Sequence, residues 1–337
     1  YPLIDGVVNG CPSHLLEPAR TNLITYSSDF SNSSWDKNGT ASITSNTTIS
    51  PDGTLNASTL TNATGDTTSN VLRQTLLGLT TEHTLSVYVK SLGASTMSLI
   101  IRNGLSGVIK RQSISLNNQW QRVKLSHTIG DGQIGFGVSD GDFAIWGAQF
   151  EEGSYPTSYI PTSGSAVTRV EETATGSGDA STFNDSEGVL MAEISALDES
   201  QSVTTISISN QSLSNRVLIV FSGGELRGQF VSSSDNISKN TSGVVIQDFN
   251  KIACSYTSTS FKVFVNGLQI QNTSTISTAL VGIRDISFNR GDGVLDFSGN
   301  TKQLQYYNTA LNDSDLETLT SWTSFTDMAN GQLYSIK

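Results

Sequence analysis

Apolar and polar residues alternate in short runs along most of this chain. Thr84–Lys90 turns Leu85, Val87 and Val89 to one side and Ser86, Tyr88 and Lys90 to the other. A period of two marks a half-buried strand. Met97–Arg102 reads as a second strand, and Gln119–Leu125 as a third with Val123 and Leu125 inward. Phe143–Phe150 is nearly all apolar and reads as a central strand or one buried on both faces. Turn formers lie between, at Pro51-Asp52-Gly53, Asn117-Asn118, Asp131-Gly132 and Gly141-Asp142. The rhythm resumes over Gly188–Ile194, Val203–Ile208, Arg216–Phe221, Leu226–Val231, Lys251–Tyr256, Phe261–Val265, Ile283–Phe288 and Lys302–Tyr307. Asn266-Gly267, directly after Phe261–Val265, predicts a two-residue hairpin. One short helix is predicted over about 312–320, with Ser314 and Glu317 as its capping box.

This pattern predicts an all-β protein of two β-sandwich (jelly-roll) domains with one short C-terminal helix. The length of 337 residues exceeds one typical domain. Residues 163–182, between the two strand series, lose aromatics and gain Gly, Ser and Thr. The predicted division is 1–165, a linker over 166–182, and 183–337. Cys11 and Cys254 fall one in each half and read as unpaired thiols, Cys254 as a small buried hydrophobe.

Charge narrows the partners. Lys and Arg number 19 against 30 Asp and Glu, for a net charge of −11, and no basic run occurs. No nucleic-acid partner is expected, because phosphate binding needs a concentrated basic surface. No apolar run approaches the roughly 18–20 residues of a membrane span, so no membrane insertion is expected.

Catalytic constellations are missing as well. Glycan hydrolysis needs two carboxylates across a cleft. Glu187, Glu193, Asp198 and Glu199 lack a matching spacing, and Glu193 reads as a solvent-facing strand residue. His14, His83 and His127 lie far apart, with no HxH or HExxH pair. There is no Gly-x-Ser-x-Gly elbow. The chain is expected to be non-catalytic, without a cofactor.

Binding candidates come from the strand faces opposite the apolar rows. Tyr88, Lys90, Arg102 and Trp120 occupy such places. Aromatic faces pack against sugar C–H groups while polar side chains take the hydroxyls. The competing reading sends Trp120 into the core. Trp35 and Trp146 read as core.

Two phrases carry a family resemblance. Leu15-Leu16-Glu17-Pro18-Ala19-Arg20-Thr21-Asn22-Leu23-Ile24, followed by Ser27 to Trp35, opens the first half. Trp146-Gly147-Ala148-Gln149-Phe150-Glu151, then Thr157-Ser158-Tyr159-Ile160-Pro161-Thr162, closes it. The pair resembles the ends of a jelly-roll module of phage virion proteins, tail fibres especially, which is itself similar to carbohydrate-binding modules. In the second half three stretches carry a resemblance to concanavalin A/laminin-G-like sandwiches. They are Lys251 to Tyr256, Phe261 to Gly267, and Tyr306 to Leu311.

These resemblances imply a non-catalytic virion protein on the particle surface. It would contact host-surface polysaccharide and other virion proteins as a homo-oligomer. They leave open two alternatives, an accessory carbohydrate-binding region of a secreted polysaccharide-degrading enzyme and a purely structural decoration protein. Related jelly rolls often hold a structural calcium ion, but the matching places here are Ser31 and Trp146, neither a carboxylate. Asp140 with Asp142, and Asp292 with Asp296, read as turn residues.

Overall fold

The computed structural model describes residues 3–4, 7–8, 13–62, 72–103, 109–128, 130, 132–138, 141–199 and 203–322. Cys11, Asp131 and Asp140 lie outside them. In chain order the first strands are β1 Leu3–Ile4, β2 Val7–Val8, β3 His14–Leu16, β4 Arg20–Asn22, β5 Asp36–Lys37, β6 Ala41–Ile49 and β7 Leu55–Asn62. Next come β8 Leu72–Leu76, β9 Glu82–Ser91, β10 Thr96–Asn103, β11 Ile109–Ser115, β12 Gln121–Thr128, β13 Gly132–Val138, β14 Asp142–Glu152 and β15 Val167–Arg169. The later series is β16 Glu187–Ala196, β17 Thr204–Ser209, β18 Arg216–Ser222, β19 Glu225–Val231, β20 Asn236–Asn240 and β21 Asn250–Thr257. It ends with β22 Phe261–Val265, β23 Leu268–Thr273, β24 Asp285–Ser287, β25 Gly299–Tyr307 and the helix α1 Asp313–Thr320.

The chain divides into two compact units, Ala19–Glu171 and a split unit of Tyr1–Pro18 with Glu172–Lys337. The inserted unit has two five-stranded antiparallel sheets, ordered β11-β10-β13-β8-β5 and β12-β9-β14-β7-β6. Leu85, Val87 and Val89 of β9, with Phe143 and Ile145 of β14, share one core with Met97, Leu99 and Ile101 of β10. Trp35 lies in that core beside Phe30 and Phe136, as the sequence suggests, and its indole N–H donates to the Tyr26 carbonyl. The split unit stacks a six-stranded sheet, β23-β22-β21-β16-β25-β3, on a five-stranded one, β20-β19-β18-β17-β24. Cys254 is fully buried between them, and burial pushes its thiol pKa up.

The hairpin at Asn266-Gly267 is the one its dipeptide predicts. Both residues have positive φ, +50° and +83°, as a type I′ turn requires, and Val265 pairs with Leu268. Three expectations need correction. The first is the boundary near the N-terminus. His14, Leu15 and Leu16 pair with Thr301, Asn300 and Gly299 on the edge of the six-stranded sheet, so the first residues belong to the later sandwich. The second is the linker. Val167–Arg169 pairs with Asn22–Arg20, and Ser177 bridges Ile286, so the backbone of this stretch is tied down by strand bonds on both sides. The third is the helix cap. Asn312, rather than Ser314, is the N-cap, and its side-chain oxygen accepts from the Asp315 backbone N–H at 3.0 Å.

Candidate functional site

The inserted unit turns an unusual row of side chains away from its core, and a bulge in β14 falls directly after one of them. Trp146 pairs with Tyr88 and Gln149 with Ser86, so Gly147 and Ala148 together face one residue of β9. Gly147 takes φ +64°, a left-handed conformation that costs other residues roughly 1–2 kcal/mol. The extra residue resets the alternation. Phe143, Ile145, Ala148 and Phe150 all reach the core, while Trp146, Gln149 and Glu151 take the other face.

Trp146 is buried, as the sequence reading has it, but on the outward side of the sheet rather than in the cluster between the sheets. It is 7% exposed, yet it is absent from the core cluster, and aromatic neighbours on the outward face bury it. Arg122, Tyr88 and Trp146 are direct cross-strand partners on β12, β9 and β14. The Arg122 guanidinium lies 5.4 Å from the centre of the Tyr88 ring. Tyr88 and Trp146 are 5.4 Å apart, and Trp146 and Tyr159 4.6 Å. The result is a continuous row of one cation and three rings spanning three strands. Two of its donors, Arg122 Nε and Trp146 Nε1, are buried without a hydrogen-bond partner.

Tyr159 comes from a non-strand segment strapped across the sheet. Glu151, fully buried, accepts from the Thr157 backbone N–H and hydroxyl. Gln149 accepts from the Ile160 N–H at 2.7 Å. Asn22 closes the arrangement: its amide donates to the Ala148 and Ile160 carbonyls and its oxygen accepts from Ile24 and Phe150 N–H. The Tyr159 hydroxyl meets Ser27 Oγ at 2.6 Å, and burial raises its pKa. The two phrases that carry the family resemblance thus meet in space as a structural staple. Their polar residues are consumed in holding the strap.

Of the four candidate residues from the sequence, Tyr88 and Lys90 lie half-buried on this outward face. Trp120 precedes β12 rather than lying in it, is half-buried outside the core, and donates its indole N–H to the Ile49 carbonyl at 2.9 Å. Arg102 does not join them. It is on β10, in the opposite sheet, where Met97, Leu99 and Ile101 face the core and Arg102 faces away from it. Two sheets of a sandwich turn their outer faces in opposite directions, so Arg102 cannot share a ligand with Tyr88. Arg122, Trp146 and Tyr159 were missed. Arg122 was legible, because Val123 and Leu125 inward place Arg122 and Lys124 outward.

Elsewhere, Glu193 is 5% exposed rather than solvent-facing, and Lys302 Nζ lies 3.5 Å from its carboxylate. It is strand-paired to Lys251 of β21 and Gln303 of β25, so neighbours on both sides cover it. A polar pocket of about 340 Å³ in the split unit is lined by Gln211, Asp285, Ser287, Asn289 and Asp292. Asp292 is paired with Arg290, which holds its carboxyl below the usual range. Among the described residues no group of three or more His, Cys, Asp or Glu is placed to hold a metal ion.

No protein-family model matches this sequence, and no curated protein matches it. Solved structures do resemble parts of it. A carbohydrate-binding module, CBM40, of the Ruminococcus gnavus IT-sialidase, bound to α2,3-sialyllactose, matches at TM-score 0.37 and 15% identity, over 44% of this chain and 97% of that one. A heptameric SAP-like pentraxin from Limulus polyphemus matches at 0.36 and 14%, over 45% and 76%. Domain 4 of a GH43 extracellular arabinanase from Geobacillus stearothermophilus, in complex with arabinotriose, matches at 0.35 and 14%, over 47% and 73%. These neighbours are carbohydrate-binding or sandwich domains, and likenesses at this level reach no residue of the site.

Proposed function

We propose that this chain is a non-catalytic glycan-binding protein whose ligand lies along the outward face of β12, β9 and β14. The observation that carries the reading is the row Arg122–Tyr88–Trp146–Tyr159, built outside the core with two buried donors left unpartnered. The half-buried Tyr88 and Tyr159 rings of this row offer apolar surface to sugar C–H groups, and Arg122 and Lys90 beside them offer donors to hydroxyl oxygens. Strands are about 4.8 Å apart, so three strands give a platform suited to a short stretch of oligosaccharide. Such a face is shallow. Its single-site affinity is weak, and useful avidity comes from several copies acting together.

The sequence resemblance alone supplies the setting: a virion surface, a homo-oligomer with other virion proteins, and a host polysaccharide as target. The same face would serve an accessory region of a polysaccharide-degrading enzyme without change.

The test is a glycan array probed with the full chain and with Tyr88→Ala and Trp146→Phe variants. Sialyllactose and arabinotriose belong in the first panel. The expected result is binding by the parent that falls at least about tenfold in Tyr88→Ala, with both variants folded by thermal melt. Parent binding that neither substitution changes would show that the ligand lies elsewhere.

A further inference from the structure

We infer that the ligand of this face is an anionic glycan, with its carboxylate or sulfate group held at the β12 edge of the sheet. This rests on the glycan reading of the row above. Lys90 is the next outward residue of β9 after Tyr88, and Arg122 and Lys124 are the outward residues of β12 beside Tyr88 and Ser86. Alternation puts all three cations on the aromatic face, Arg122 within about two strand spacings of each of the others and Lys90 about three from Lys124. The chain as a whole carries −11, so this face reverses the charge of its own protein.

Among the described residues, Lys90, Arg122 and Lys124 take part in no ion pair. Arg122 gives one N–H to Ser86 Oγ at 3.1 Å and keeps Nε buried and unpartnered. The rest of its half-buried guanidinium and the exposed Lys124 ammonium offer charge-assisted donors to an incoming oxyanion. Of the nearby acids, Asp142 stands on the same face beside Lys90, two residues along β14 from Ala144, and the others are committed or distant. Glu151 accepts from Thr157 and faces Arg20 at 3.9 Å. Asp52, which bears on Tyr159 at the other end of the row, is held by Ser50, Thr54 and Asn56. Glu82 is exposed at the far end of β9, six residues from Tyr88 and so about 20 Å along the strand. The row is thus polarised, with cations at β12 and rings toward Tyr159. A neutral sugar would use the rings and leave the donors at the cationic end half-satisfied.

The test uses the full chain and matched oligosaccharide pairs in calorimetry. One pair is oligogalacturonate and its methyl ester; the other is a sulfated oligosaccharide and its desulfated form. The expected result is that at least one charged member binds about tenfold or more tighter than its neutral partner. Whichever pair shows the difference names carboxylate or sulfate as the group. Arg122→Gln and Lys124→Gln are each expected to weaken the charged member about two- to fivefold, with Arg122→Lys retaining most of the binding. Raising the salt to 0.5 M should narrow the gap within each pair. Equal binding of charged and neutral members, lost together in Tyr88→Ala, would overturn the anionic inference and leave the glycan reading standing. No binding of any member, together with none on the glycan array, would sink both.

Discussion

In the split unit, β16, β21 and β22 turn Val189, Met191, Ala253 and Phe264 away from the main core, and α1 closes over them with the fully buried Leu316. In the inserted unit, β9 and β14 turn Tyr88 and Trp146 the same way, and among the described residues no helix covers them. The two outward rows differ in chemistry as well as in cover. The first is aliphatic or plain aromatic, with few polar groups to satisfy, and a helix is a sufficient lid. The second ends in a hydroxyl, an indole N–H and a guanidinium, which need partners that a helix face does not supply. The strap carrying Tyr159 covers only part of it. An outward apolar row is ordinary when the fold covers it and informative when the fold does not.

Four changes would break or sharpen this contrast. The largest effect belongs to Asn22→Ala. It strands two backbone N–H groups and two carbonyls at a fully buried position, and should lower the stability of the inserted unit by about 4 kcal/mol in denaturant unfolding. A loss under about 1 kcal/mol would mean that the strap holds without its staple. Next, Leu316→Ala should cost the split unit about 3 kcal/mol by the same measurement. If it costs almost nothing, α1 is not the lid described, and the contrast between the faces collapses.

Third, Gly147→Ala should cost about 1–2 kcal/mol, since φ is +64° and the added methyl would sit 3.4 Å from both the Tyr88 and Tyr159 rings. It should also weaken ligand binding, because the added methyl crowds the Tyr88 and Tyr159 rings. Smallest is a pH effect in the split unit. The Arg290 pair lowers the folded pKa of Asp292 below its unfolded value near 3.9. Its contribution is therefore complete above that unfolded value and fades as pH falls through the lower folded one. Asp292→Asn should remove that acid-side loss, a few tenths of a kcal/mol for so exposed a pair, in melts from pH 5 down to 2.

Local pattern made the strands legible, because burial on one face writes itself into every second residue. Tyr88 and Lys90 were placed correctly for that reason. Arg102 shows the limit: alternation says which residues face away from a core, but not which of two sheets they stand on. Trp146 shows another: alternation with Phe143 and Ile145 turns it outward, but in a nearly all-apolar run residue type does not say which face is which. Tyr159 belongs to no strand and carries no period. The short strand His14–Leu16 was invisible because its partner lies at Gly299–Thr301, and three residues hold too little pattern to announce a pairing at that range.

That short strand also orders the birth of the molecule. At about 5–20 residues per second, roughly 15–60 s separate the synthesis of His14–Leu16 from that of its partner in β25. The inserted unit emerges complete in the meantime and can fold first. Its entry and exit then lie side by side, since Glu17 donates to the Glu172 carboxylate at 2.9 Å and Glu172 N–H returns to the Glu17 carbonyl at 3.0 Å. A long loop would oppose closure of the last sheet edge, but a folded insert with adjacent ends acts as a short one. Joining Pro18 directly to Glu172 would remove the whole inserted unit at a single seam. Different cassettes could enter the same chain there, and its recognition could change without redesign of the sandwich that carries it.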